Sequence, residues 1–312
     1  LDVSNAIPSP KIVTKTGTTI QKAYTGLEFG TLSCFNMSTF VEADYADPDI
    51  DIDTFAPTDL DIDQWLDTYV AAGMTFATLT VKHHDGFCLW PTAYFDAGHD
   101  PYSIAETAWY AGAGNPDITG LFVAGCVARG LTPCLYYSMW DKTHEARAGA
   151  ANPLYLTMIE AQLTELLTNY GNLGTIWFDG WGGAAWSLSY TDIPYATIYN
   201  FCKAIQPDIL VLSNDNTHPR TVSEIEIFEV ENIDINNEYP CEKVTSVRNA
   251  AVWFYHSTQD QTADGFKTSG HVKTQINFAN NYCNACYHLG TTPGTDGHLP
   301  AAQVTLLGEI GA

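Results

Sequence analysis

Four times along this chain a helical pattern is closed by Gly or Pro and followed at once by a short apolar run. From Asp59 to Ala72 the apolar residues Leu60, Trp65, Leu66, Tyr69 and Val70 mark one helical face; Gly73 ends it and TFATLTV follows. NPDITGLFVAGCVARG ends at Gly130 and leads into LTPCLYYS. NPLYLTMIEAQLTELLTNYG opens with Asn152 as a cap and Pro153 at the first helical position, closes at Gly171, and leads into LGTIWFDG. DIPYATIYNFCKAIQP stops at Pro207 before DILVLSND. Proline suits a first helical turn because its missing N–H would have no partner there, and glycine accepts the left-handed backbone that ends a helix. Strands spaced by helices argue for parallel pairing.

Four further runs have strand character: LEFGTLSCFNMS near the start, EIEIFEVEN at 224–232, AAVWFY at 250–255 and NACYHLG at 284–290. Late helices are expected around Thr262 to Asn281 and Pro300 to Ile310, while INNEYPCEKV, between the sixth and seventh strands, reads as a loop. Eight parallel strands predict an α/β fold, a closed (β/α)8 barrel of the TIM type. No linker divides residues 1–312, and 46% hydrophobic residues suffice for one large core, so a single domain is expected. An open doubly wound sheet is the competing architecture, but no G-x-G-x-x-G follows the first strand to anchor a nucleotide.

Thirteen Lys and Arg against thirty-six Asp and Glu leave a net charge of −23, which repels phosphate backbones and sets nucleic acid aside as a partner. No apolar run approaches the roughly 18 residues of a membrane span, and LDVSNAIPSP lacks the basic start and apolar core of a signal peptide. No metal or cofactor is expected. Cys283 and Cys286 form one CxxC before His288 with no second ligand pair at zinc spacing, and the acidic stretch DPDIDIDTFAPTDLDID lacks the glycine and glutamate of a calcium loop. The single glycosylation sequon, Asn36-Met37-Ser38, falls at a strand end, where it is expected to stay unused.

The strand ends carry the chemistry. In chain order the first six finish in Cys34-Phe35-Asn36, His83-His84-Asp85, Tyr136-Tyr137-Ser138, Trp177-Phe178-Asp179, Asn214-Asp215-Asn216 and Glu226 through Glu231. One polar strand end is a cap or a turn, but six in succession describe a rim, and the carboxyl rim of such a barrel is where its loops converge. Carboxylates among aromatic walls suit glycoside hydrolysis, in which one ionised carboxylate attacks the anomeric carbon and a protonated one serves the leaving oxygen. Asp179, two positions after Trp177 and on the same strand face, is the candidate nucleophile. His83 and His84 suit sugar hydroxyls, since neutral imidazoles both donate and accept; as metal ligands they would need a third partner, for which the adjacent Asp85 is poorly placed.

The stretch VKHHDGFCLWPTAYFD together with TIWFDG resembles the α-L-fucosidases of glycoside hydrolase family 29, and LEFG…FNMSTF, PTDLDIDQWLDTYVAAGM, LYYSMWD, LTELLTNYG and GTTPGTDG extend the resemblance over essentially the whole chain. It implies a retaining exo-α-L-fucosidase that uses no metal and acts on terminal fucose of a glycan or glycoside. It gives Asp179 the nucleophile's role and places His83, His84, Tyr137 and Trp177 where relatives contact fucose. Asp44-Tyr45 stands where the family has Glu-Trp, which makes Tyr45 a sugar contact, and Cys34 replaces a fucose-binding His. For the acid/base the resemblance favours Glu229 over Glu224, Glu226 and Glu231, with Glu242 as the outlying alternative; Arg220 stands in for a family arginine. The β-sandwich that follows the barrel in many relatives is expected to be absent, and a secreted or periplasmic location is expected in preference to the cytoplasm. Two other functions fit the same residues: a non-catalytic fucose-binding relative, suggested by Cys34, and a glycosidase for a related sugar such as an α-L-galactoside.

Overall fold

The computed structural model describes residues 17–149, 154–182, 188–215, 222–230, 232–233, 237, 239–258 and 265–312. The cap at Asn152 and Pro153, and Asn216, Arg220 and Glu231, lie outside the described residues.

Eight strands, β1 (Phe29–Ser33), β2 (Phe76–Lys82), β3 (Thr132–Ser138), β4 (Thr175–Asp179), β5 (Leu210–Ser213), β6 (Glu226–Glu229), β7 (Cys241–Ser246) and β8 (Ala285–Thr291), form one sheet. Its order is β5-β4-β3-β2-β1-β8-β7-β6 with every pair parallel, so the sheet wraps on itself through β1 and β8. The two ends of this order face each other without a ladder. Residues just before β6 close that seam: Val211 N–H donates to the Glu224 carboxylate (2.8 Å), and Ser213 N–H to the Ser223 hydroxyl (3.0 Å). Barrel closure removes the exposed edges that an open sheet would leave. The helices are α1 (Thr19–Thr25), α2 (Met37–Val41), α3 (Ile62–Ala71), α4 (Ala108–Gly112), α5 (Ile118–Ala128), α6 (Lys142–Ala148), α7 (Leu154–Asn169), α8 (Tyr195–Ile205), α9 (Ser269–Tyr282) and α10 (Ala301–Gly311).

The period-2 alternation of strand side chains sorts them into two cores. Leu32, Phe76, Cys134, Tyr136, Trp177, Leu212, Ile227 and Val244 pack inside the barrel, with Tyr24 of α1 among them. Leu79, Leu135, Tyr137, Ile176, Phe178, Val211, Phe228 and Leu289 face the helices.

One strand corrects the sequence reading. AAVWFY is not a strand; β7 is CEKVTS, whose first four residues end the stretch read as a loop. Adjacent Glu242 and Lys243 argue against a buried strand by composition, yet every residue of β7 is buried, because Glu242 finds hydrogen-bond donors within the barrel.

Candidate active site

β2 positions the first site residues by breaking its own alternation. Thr80 pairs with Tyr136 and Lys82 with Tyr137, so Val81 is an extra residue, a β-bulge against β3. Val81 packs in the outer core, and Lys82 also turns outward, where its ammonium meets Asp141 (2.8 Å), the Tyr137 hydroxyl (3.2 Å) and Gln162 (3.2 Å). Regular alternation would have aimed Lys82 inward and His83 outward. The shift turns His83 into the barrel mouth, and the turn that follows brings His84 beside it, with ring centroids 4.2 Å apart. Gly86 makes that turn at φ +93°, with Asp141 so close that a Cβ would lie 2.2 Å from its oxygen. Lys142 N–H fixes the His84 carbonyl at 2.8 Å.

At this mouth lies a cavity of about 580 Å³, lined by Leu32, Cys34, Asp44, Tyr45, Thr80, His83, His84, Tyr136, Trp177, Asp179, Glu229, Val230, Val244, Trp253 and Phe254. Asp179, at the end of β4, is 8% exposed. Its Oδ2 accepts from the Tyr136 hydroxyl (2.7 Å); its Oδ1 accepts from Gly180 N–H (2.8 Å) and the Asn214 amide (3.3 Å). Burial pushes the carboxyl up to about 6, and those three hydrogen bonds restrain the rise. The same Asn214 nitrogen donates to Glu229 Oε2 at 2.6 Å. One side-chain amide therefore ties two carboxylates from two strands, and their oxygens can be no further apart than those two bonds laid end to end.

Burial lowers both imidazoles, His83 well below its usual value and His84 to about 3, with the Lys142 charge adding to each, so both rings are neutral. The Ser138 hydroxyl donates to the Trp140 carbonyl (2.6 Å) and so accepts from His84 Nδ1 (2.7 Å). That leaves His84 Nε2 as an acceptor, 3.7 Å from Asp179. Tyr45, 57% exposed, stacks on His84 at 5.5 Å with planes 9° apart. Trp177 stacks on Tyr136 at 5.1 Å. The Asp44 carboxylate accepts from Trp253 and Phe254 N–H (2.8 and 2.9 Å) and holds an aromatic wall whose Phe254 meets His83 edge-on at 4.7 Å.

Of the residues singled out from the sequence, Cys34, Tyr45, His83, His84, Trp177, Asp179 and Glu229 lie together in this cavity. Tyr137 does not, and its expected contact with sugar is corrected: Tyr136, not Tyr137, shares a register position with Trp177, so Tyr136 faces inward and Tyr137 bonds Gln162 and Lys82 behind the sheet. Glu224 is taken by the β5–β6 seam and Lys203, Glu226 is buried on β6 away from the cavity, and Glu242 lies fully buried inside the barrel. Sequence reasoning passed over Asn214 as a strand end and misread Trp253 and Phe254 as strand. The choice between Tyr136 and Tyr137 depends on the register of β3 against β4, which the sequence does not carry, and for Asn214 the sequence carries no signal either. Among the described residues no group of three or more His, Cys, Asp or Glu is arranged to hold a metal ion.

A (β/α)8 barrel that presents two carboxylates across an aromatic-walled cavity at its carboxyl rim has the equipment of a glycoside hydrolase. The family model for α-L-fucosidases matches residues 27–312, and the chain belongs to that family. A rice (Oryza sativa subsp. japonica) protein provisionally named α-L-fucosidase 1 is 36% identical over 194 residues, 61% of this chain and 34% of the relative. Arabidopsis thaliana α-L-fucosidase 1 is 31% identical over 194 residues, 61% of this chain and 35% of its own. The alignments thus span about a third of the length of these curated relatives. A Bacteroides thetaiotaomicron α-L-fucosidase of glycoside hydrolase family 29, trapped as a covalent intermediate with 2-fluoro-fucosyl fluoride, shares the fold with a TM-score of 0.76 at 19% identity, over 95% of this chain and 74% of that one.

Proposed function

We propose that this chain carries the catalytic barrel of a retaining exo-α-L-fucosidase, with Asp179 as nucleophile and Glu229 as acid/base. The observation that carries the reading is Asn214, whose one amide nitrogen holds both carboxylates at the cavity floor. A retaining pair sits about 5–5.5 Å apart, a spacing compatible with two oxygens sharing one donor. Asp179 attacks the anomeric carbon while protonated Glu229 gives its proton to the departing glycosidic oxygen. Glu229 then takes a proton from water, which releases the sugar from Asp179 with its configuration kept. The trapped intermediate of the Bacteroides relative is consistent with this route.

The cavity lining suits a 6-deoxy sugar. Leu32, Cys34, Val244 and Phe254 contribute apolar surface and one weakly bonding thiol, suited to a methyl, while His83, His84 and Tyr45 can bond hydroxyls. A hydroxyl on that methyl, as in an α-L-galactoside, would enter the same space with a modest penalty, on the order of a hundredfold in kcat/KM.

The test uses an aryl α-L-fucoside. Wild-type enzyme is expected to release α-L-fucose first, seen by NMR before mutarotation. Asp179→Gly is inactive until azide is added and then gives the β-azide; Glu229→Ala with azide gives the α-azide. Release of the β-anomer first, or full activity in either variant, removes the assignment. Calorimetric binding of fucose without any turnover would favour the non-catalytic reading that Cys34 suggests.

A further inference from the structure

Glu242 lies on β7 inside the barrel, fully buried beneath the cavity it does not line. Its Oε2 accepts from the Tyr24 hydroxyl at 2.7 Å, and its Oε1 accepts from the Trp177 indole N–H. No Lys or Arg reaches it among the described residues; the nearest basic atom is His288 Nδ1, at 3.8 Å. A carboxyl group buried with neutral donors costs far more than an apolar side chain in the same space. Phe76, Cys134, Val244 and Cys286 pack in the same interior cluster, with the buried His288 ring 5.1 Å from that of Phe76.

What Glu242 holds is the underside of the site. Tyr24 comes from α1 and packs on Phe76, 5.5 Å between rings. From Tyr24 the contacts run upward without a break: to Glu242, to the Trp177 indole, to the Tyr136 ring stacked on Trp177, and through the Tyr136 hydroxyl to Asp179. An indole has one donor, and with it engaged below, the ring has one orientation in which its face walls the cavity beside Asp179.

We propose that Glu242 is a positioning residue for this site: by accepting the Trp177 N–H it fixes the indole, and through Tyr136 the reactive Asp179 carboxylate, in register with the bound sugar. The proposal rests on the hydrolytic reading above. Glu242 touches no substrate and acts on the chemical step through Trp177, where a misplacement of about 1 Å can cost on the order of a hundredfold in rate.

The experiment compares Glu242→Gln and Glu242→Met, first by near-UV circular dichroism and thermal melting, then by kcat and KM on an aryl α-L-fucoside. Gln keeps an acceptor for the indole, and its amide can donate to the Tyr24 oxygen; it is expected to stay within about threefold of wild type. Met keeps the volume without the acceptor and is expected to lose about ten- to a hundredfold in kcat with KM little changed. In a Trp177→Phe background, which has no indole N–H, Glu242→Met should add no further loss. Should Glu242→Met fail to fold, 3-benzothienylalanine at position 177 removes the same contact from above, replacing the N–H by sulfur at nearly unchanged shape, and the same fall in kcat is expected. Wild-type activity in the Met or benzothienyl variant, a Gln variant as poor as Met, or an undiminished Met effect in the Phe background would each overturn the role. An inactive wild type would instead remove the hydrolytic reading on which the proposal rests.

Discussion

Burial pushes Asp179 up to about 6 although three donors face it, so folding and the proposed chemistry ask opposite things of this side chain. The fold favours the protonated carboxyl. Stabilisation from that form is fully present below the unfolded value near 3.8 and is lost as pH rises through about 6, so at pH 7 the ionised group is a net cost. Asp179→Asn keeps an acceptor for Gly180 and Asn214, and its amide faces the Tyr136 hydroxyl, which can turn to accept. The variant is therefore expected to be more stable than wild type at pH 7 by on the order of 2–3 kcal/mol while losing hydrolysis. Urea denaturation at pH 7 reads the gap, which should close as pH falls below the unfolded carboxylate value. In the proposed mechanism the attacking form of Asp179 is ionised, so kcat/KM should fall on the acid side with an apparent pKa near 6. His83 and His84, held neutral by burial, add no limb in that region, and a pH–rate profile checks this.

The bulge in β2 rests on a buried ion pair, and that pair can be tested apart from the rim. Lys82 and Asp141 are both buried at 2.8 Å, and Asp141 also caps α6 through His144 N–H (2.7 Å). Removing one member leaves the other charge buried and unpaired, which typically costs 3–5 kcal/mol. Lys82→Met should destabilise by about that much, and Lys82→Met with Asp141→Asn by at least about 1 kcal/mol less than the two single changes together. Denaturation of the four proteins measures the coupling. This element also marks where the sequence stops speaking. Strand existence was legible from helix punctuation, and the polar strand ends marked the rim. Which of two neighbouring residues faces inward depends on register, and a one-residue slip reverses every side chain. The resemblance points to Tyr137, and only the register of β3 against β4, Tyr136 opposite Trp177, turns Tyr136 inward instead. β7 was illegible for a different reason: Glu242 and Lys243 look solvated until their partners are known, and the partner Tyr24 lies far away in sequence on α1.

At the scale of the whole barrel, the weak point is the β5–β6 seam, which local patterns could not reveal because one long backbone bond, Glu224 N–H to the Val211 carbonyl (3.4 Å), and two side-chain acceptors close it in place of a ladder. Glu224 supplies the acceptor for Val211 N–H and pairs with Lys203 at 3.0 Å. Glu224→Ala leaves that backbone donor unsatisfied and should cost about 1–3 kcal/mol. The loss should be local: hydrogen exchange at Val211 is expected to quicken at least tenfold, while amides of β1 and β8, on continuous ladders, change little. The seam runs between Asn214, just past β5, and Glu229 at the end of β6, so opening it parts the hydrogen bond that joins the two carboxylates. Activity of the Glu224→Ala variant should therefore fail on heating several degrees before far-ultraviolet circular dichroism reports melting, whereas in wild type the two losses coincide more closely. Coincident transitions in the variant would mean that the seam opens only with the barrel as a whole, and that Asn214 holds the pair without help from Glu224.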